Sequence, residues 1–315
     1  MKKSISLLMT VLIILSTLLI PSVATYNNIG LPASENAEYS VGMVEKDLET
    51  NIVEKKIYSC DANGNENVNT VETWTDIASN VIIEPETFGV ASVVPISPSS
   101  VIGNDERTFV TNTRAFPYSA ITQLEMNFDE GKKHGTGFLV SDNVILTAGH
   151  NLYDPSSGGF TDSVTVRPGR SGYFSLPFGL AKAKAISVST GWLNSQDDNY
   201  DWGVIVIFNS LVGNHGHFNL STISDSAENI TAQICGYGEE NLYEQQKMSG
   251  SIYIESNHIL YYHIDTSHGQ SGSPIFNQNN EVIGIHTQGR VIVNRGLRIT
   301  NSLVNVINKI IEEKR

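Results

Sequence analysis

In HIDTSHGQSGSPIF, residues 263–276, one serine stands beside glycines in the way a nucleophile on a sharp turn requires. Gly269 and Gly272 accept backbone angles denied to other residues, and their missing side chains leave room for a substrate backbone. Successive amide N–H groups in such a turn can converge on one point, and a donor aimed at a developing oxyanion is worth about 3–4 kcal/mol in the transition state. Ser271 is the candidate nucleophile, with the N–H groups of Gly269 and Ser271 as oxyanion donors. Alone, Gly-x-Ser-Gly also describes an ordinary loop. The hydroxyl needs a base, and the base needs an orienting acid. VILTAGH ends a β-type run on His150 after small residues that leave space for an imidazole. NYDWGVIVIF sets Asp201 just ahead of a strongly apolar run, where a carboxylate is costly unless paired. In chain order the set is His150, Asp201, Ser271.

The elements that must carry these residues are short. From residue 101 onward, runs such as AITQLEMNF, GTGFLVSDNVILTAGH, GVIVIF, ENITAQICGYG and EVIGIHTQG have strand length, are rich in Val, Ile, Tyr and Thr, and are split by turn signals. Many short strands at regular spacing predict an all-β sandwich or barrel architecture. NQNNE predicts a hairpin turn between SPIF and VIGIH. The tail NSLVNVINKIIEEKR differs: Leu303, Ile307, Ile310 and Ile311 recur at helical spacing, with Asn301 or Ser302 placed to cap. A hydrophobic content of 40% is enough for a globular core. Twenty basic residues against 33 acidic ones, a net charge of −13, argue against nucleic acid as a partner, because phosphate binding needs a Lys/Arg face.

MKK followed by SISLLMTVLIILSTLLI and PSVA has the charged, apolar and small-residue regions of a signal peptide, residues 1–24, with cleavage after Ala24. That makes the protein secreted, with no membrane attachment once the signal is removed; an uncleaved anchor is the alternative. Residues 25–99 are polar and lack a sustained period. Twelve acids stand there against Lys46, Lys55 and Lys56, so this stretch alone carries −9. It reads as an acidic pro-segment removed after export, leaving a domain over 100–315. Cys60 and Cys235 fall in different products, so the mature protein is expected to lack disulfides. His215 and His217, in HGH, read as a surface loop and not as a zinc site, since no third ligand is evident.

LTAGH, DWGVI and GQSGSP together resemble the trypsin-like serine peptidases, and more narrowly the secreted glutamyl endopeptidases of Gram-positive bacteria, the group containing the staphylococcal enzyme. SVIGNDERTFVTNTRAFPYSAI, GTGFLV, YDPSSG, TVRPGR and NRGLRIT fit the same group, over residues 100 to about 310. The resemblance implies two six-stranded β-barrels, about 101–208 and 215–300, then a helix over 301–313, with the triad in the cleft between the barrels. It also implies that His286, in GIHTQG, and Thr266, five residues before the nucleophile, bind an acidic P1 side chain. A hydroxyl and an imidazole suit a carboxylate that an apolar pocket would reject. In the staphylococcal relative the new amino terminus contributes to that pocket. Here the cut is expected at Ser99-Ser100 or Ser100-Val101; neither bond follows Glu, so a separate activating peptidase is implied. No cofactor is required. Calcium stabilises some relatives, but no loop here has a diagnostic ligand spacing. Close relatives often have a Cys after the catalytic His, where this chain has Asn151. The expected partners are polypeptide substrates, and the mature enzyme is expected to be a monomer. Competing readings are a trypsin-like peptidase of other P1 specificity, a non-catalytic binding protein on this fold, and an esterase. An esterase would have its triad in the order Ser, acid, His, with a helix after the serine.

Overall fold

The computed structural model describes residues 39–61, 66–75, 101–208 and 210–314. The signal-peptide reading of 1–24 and the bonds beside Ser99 and Ser100 lie outside the described residues. Everything described falls within one compact unit, Asn36–Arg315.

Three strands, β1 (Tyr39–Asp47), β2 (Ile52–Cys60) and β3 (Glu66–Thr75), form an antiparallel meander. The short β4 (Thr108–Phe109) follows, then β5 (Ile121–Phe128), β6 (Gly131–Leu139) and β7 (Val144–Thr147). A small hairpin, β8 (Tyr153–Asp154) and β9 (Gly159–Phe160), leads into β10 (Ser163–Pro168), β11 (Ala181–Ser189), helix α1 (Thr190–Ser195) and β12 (Gly203–Ile207). The order β10-β5-β6-β7-β12-β11 closes on itself through a β10–β11 pairing, which makes the first six-stranded barrel. After the short β13 (Asn219–Leu220) come β14 (Ile230–Tyr237), β15 (Gln245–Ile254), β16 (Ile259–Tyr262), β17 (Pro274–Phe276), β18 (Glu281–Gly289) and β19 (Asn294–Arg298). These close as β18-β17-β14-β15-β16-β19 through a β18–β19 pairing, the second barrel. The double-barrel expectation therefore holds, with helix α2 (Asn301–Glu313) at the end of the chain.

The strands form because their sequences suit a closed sheet. In β11 Lys182 and Lys184 face out while Ala181, Ala183 and Ala185 face in, and β12 is buried along its whole length. Ala232, Ile234, Ile252, Leu260, Tyr262, Ile264, Ile275 and Ile283 form a core of their own inside the second barrel. Helix α2 buries Leu303, Val306, Ile307 and Ile310. Its cap is Thr300, whose Oγ1 accepts from Leu303 N at 3.2 Å, and not Asn301 or Ser302. Both of those residues are already helical, so the capping hydroxyl has to come from the last extended residue before them.

The meander departs from the texture read in the sequence, which starts the β-type runs at residue 101. Its first two strands mix charged residues with a few apolar ones, and their burial comes from what they pack against. Met43, Val44 and Val53 are each 1% exposed, and Tyr58 is nearly as buried. Met43 and Tyr58 join the main core only because β1 pairs with β11.

Candidate active site

His150 and Asp201 meet because β7 and β12 are antiparallel neighbours. Thr147 lies opposite Gly203, so the residues just after β7 and just before β12 emerge at the same end of the barrel. His150 sits in the 3-10 turn Gly149–Asn151, and Asp201 follows the turn Asp198–Tyr200. Asp201 is 1% exposed, and its carboxylate accepts from His150 twice: Oδ1 from the backbone N at 2.9 Å and Oδ2 from Nδ1 at 2.7 Å. An ionised carboxylate only accepts, so Nδ1 carries the proton and Nε2 presents a lone pair. Burial by itself lowers the His150 pKa. The charge and hydrogen bond of Asp201, with Asp154 adding, outweigh it and hold the imidazole above its usual value. Trp192 of α1 flanks the ring at 6.0 Å between centroids.

Ser271 lies in the loop between β16 and β17 and is almost wholly buried. Its carbonyl oxygen accepts from Thr136 N and from Asn151 Nδ2, both at 2.9 Å. The Ser271 loop of the second barrel is thus tied to β6 and to the residue after His150. Gly269 and Gly272, at φ +88° and +87°, bracket the turn. At Gly272 a Cβ would stand 2.1 Å from Thr136 O, so only glycine fits between the loop and β6. Thr136 also donates through Oγ1 to Gly269 O at 2.9 Å and accepts from Tyr237 N at 2.9 Å.

His286 and Thr266 border this loop from the second barrel. His286, on β18, exchanges backbone hydrogen bonds with it: Gly272 N donates to His286 O at 2.7 Å and His286 N donates to Ser273 O at 2.9 Å. Both side chains are completely buried. Among the described residues seven buried side-chain polar atoms lack a hydrogen-bond partner, and Thr266 Oγ1, Ser273 Oγ and His286 Nε2 are three of them. Leaving such groups unpaired costs stability, so each is a place where an incoming polar group would be favoured.

Several supporting residues carried no signal in the sequence. Tyr262 OH donates to Arg295 O at 2.8 Å and lies 2.7 Å from His286 Nδ1. The buried Asp265, beside Thr266, accepts from Ile102 N at 2.7 Å and Glu106 N at 2.9 Å. Arg107 then reaches Ser267 Oγ at 2.6 Å and Gln270 Oε1 at 3.0 Å. The first residues after the expected cut therefore brace the wall that holds Thr266. Asn151 is a further case: where relatives often have a Cys, this chain has an amide that ties His150 to Ser271.

Cys60 and Cys235 are both buried, and burial pushes the Cys235 thiol well above its usual value. His215 is buried, with Nδ1 3.0 Å from Gly216 O. Among the described residues no three His, Cys, Asp or Glu side chains are grouped to hold a metal ion, and no helix is long and apolar enough to cross a membrane.

The model of the trypsin-like peptidase domain matches residues 135–285, a span that contains His150, Asp201 and Ser271. A glutamyl endopeptidase of Bacillus licheniformis is 38% identical over 221 residues, which is 66% of this chain and 68% of that one. An extracellular metalloprotease of Bacillus subtilis is 33% identical over 232 residues, 69% of this chain and 71% of that one. A solved Glu endopeptidase superposes with a TM-score of 0.61 at 31% identity, over 67% of this chain and 98% of its own. The double barrel and this kinship make the chain a trypsin-like serine peptidase, and it belongs to the glutamyl endopeptidase family.

Proposed function

We propose that this chain is a secreted endopeptidase, made as a zymogen, that hydrolyses peptide bonds after Glu and less readily after Asp. In this reading Ser271 Oγ attacks the scissile carbonyl carbon while His150 Nε2 takes the hydroxyl proton. The oxyanion is received by the N–H groups of Gly269 and Ser271. The C–N bond then breaks as His150 passes the proton to the leaving amine, which leaves an acyl-serine ester. Water attacks that ester with the same base and releases the acid product. Asp201 holds the Nδ1–H tautomer and stabilises the imidazolium, a role supported by its two hydrogen bonds from His150.

The acid preference rests on one observation, the unpaired and buried Thr266 Oγ1 and His286 Nε2 beside the nucleophile loop. Tyr262 has a single hydroxyl proton, and it goes to Arg295 O. His286 Nδ1 must therefore be the donor to Tyr262, which leaves a lone pair on Nε2 of the neutral ring. Burial, with the neighbouring His150 adding, lowers His286 to about 3, so it is neutral at ordinary pH before substrate arrives. A P1 carboxylate can bind this nitrogen only together with a proton, whereas Thr266 donates its own.

Export through residues 1–24 and removal of 25–99 complete the reading. A peptidase preferring a bulky apolar residue after the bond suits a cut at Ser100-Val101, and the anchoring of Ile102 N on Asp265 supports a place for the new terminus near Thr266. A fluorophosphonate should label the processed protein and fail to label Ser271→Ala. Labelling that persists in Ser271→Ala sinks the nucleophile assignment.

A further inference from the structure

The seam that closes the first barrel is short. Only Thr165 opposite Lys182 and Val166 opposite Ala181 join β10 to β11. Beyond it, from Ala185 to Val188, β11 has β12 as its barrel neighbour on one side only. An edge left this way is a row of unpaired N–H and C=O groups, and β-proteins cover such edges. Here β1 covers it, with Met43 opposite Ser189 through Asp47 opposite Ala185.

Side chains add to that ladder. Met43, Tyr58 and Cys60 sit in the same apolar cluster as Ile186 and Val188 of β11. Gly42 passes so close to α1 that a Cβ would stand 2.6 Å from Thr190 Oγ1. The Glu45 carboxylate lies 3.3 Å from Lys56 Nζ and 2.8 Å from Lys314 Nζ, just past the end of α2. Tyr58 OH donates to Glu313 at 3.4 Å, and the buried Lys46 faces Asp162 at 3.9 Å. The partners of the meander are thus β11, α1 and the far end of α2.

We infer that Tyr39–Thr75 is a clamp whose docking surface is the β11 edge with α1 and the end of α2, and that it stays bound there after the chain is cut within residues 76–100. The clamp acts on the wall of the first barrel, where Ser189 caps α1 and α1 carries Trp192 against His150. Only the natural occurrence of the cut rests on the pro-segment reading.

The test uses the full chain with a site for a sequence-specific protease introduced within 80–95. After cleavage the two pieces should elute together in gel filtration under native conditions, both visible by intact mass, and should separate in denaturant. Separate elution in native buffer overturns the proposal. Gly42→Val and Met43→Asp, carried in the same background, should each cut the retained fraction at least tenfold, while near-ultraviolet circular dichroism keeps the signal of a folded peptidase domain. Unchanged retention in both variants means that the β11 edge is not the docking surface, and this also overturns it. N-terminal sequencing of the naturally secreted protein separates the two readings: a cut chain with a retained clamp gives two starts, one upstream of Tyr39 and one near Val101, whereas a single start upstream of Tyr39 sinks the pro-segment and leaves the docking result standing.

Discussion

The Asp201 carboxylate accepts from both the backbone and the ring of His150, so one residue fixes the position and the tautomer of the base. Asp201→Asn should lower kcat by about 10⁴. The direction of the pH effect follows from the raised His150 pKa. Catalysis needs the neutral imidazole, so activity is lost as pH falls through that value, and removing the Asp201 charge should move the acid limb of kcat/KM to lower pH. The pocket residues have their own signatures. Thr266→Val removes a donor to a carboxylate and should cost about 10- to 100-fold in kcat/KM for a Glu substrate, with a much smaller loss for Gln. Burial keeps His286 neutral, so the proposed binding of a Glu side chain to it should take up a proton. KM for a Glu peptide should therefore rise with pH on the alkaline side, while KM for the matched Gln peptide stays level. Parallel pH profiles of both KM values would contradict the proton count at Tyr262.

At the scale of elements, the Ser271 loop depends on glycines where it crosses β6. Gly272→Ala meets both a φ of +87° and the Thr136 carbonyl, and should destabilise the fold by more than about 1 kcal/mol, read as a fall in Tm. GQSGSP was readable as a turn because its glycines state the backbone requirement directly, and LTAGH and DWGVI were readable because polar residues end apolar runs. Tyr262, Asp265 and Asn151 were not. Their roles arise from barrel register and from contacts between segments far apart in the chain, which no local spacing encodes. The meander was hidden for a related reason: the apolar residues of β1 and β2 are few and scattered, and only the neighbouring β11 and α2 make them part of a core. The Thr300 cap shows the same limit at finer grain, since three consecutive polar residues, Thr300, Asn301 and Ser302, offer equivalent caps until the helix start is known.

For the whole molecule, many short β-type runs made an all-β sandwich or barrel readable, and the resemblance supplied the division into two six-stranded barrels; which strands close on which came only with the structure. The proposed set is divided between the barrels: His150 and Asp201 belong to the first, and Ser271, Thr266 and His286 to the second. The acidity is uneven as well, with −9 of the −13 net charge in residues 25–99, so the peptidase domain itself is far less acidic than the full chain. The central claim is hydrolysis after an acidic residue by this cleft. The direct measurement is kcat/KM of the processed protein on four short peptides that differ only at P1: Glu, Asp, Gln and Lys. Glu should be cleaved best, Asp less well, and Gln and Lys at least about 100-fold more slowly than Glu, a gap that His286→Val should largely remove. Comparable turnover after Gln or Lys in the unmodified enzyme would contradict it.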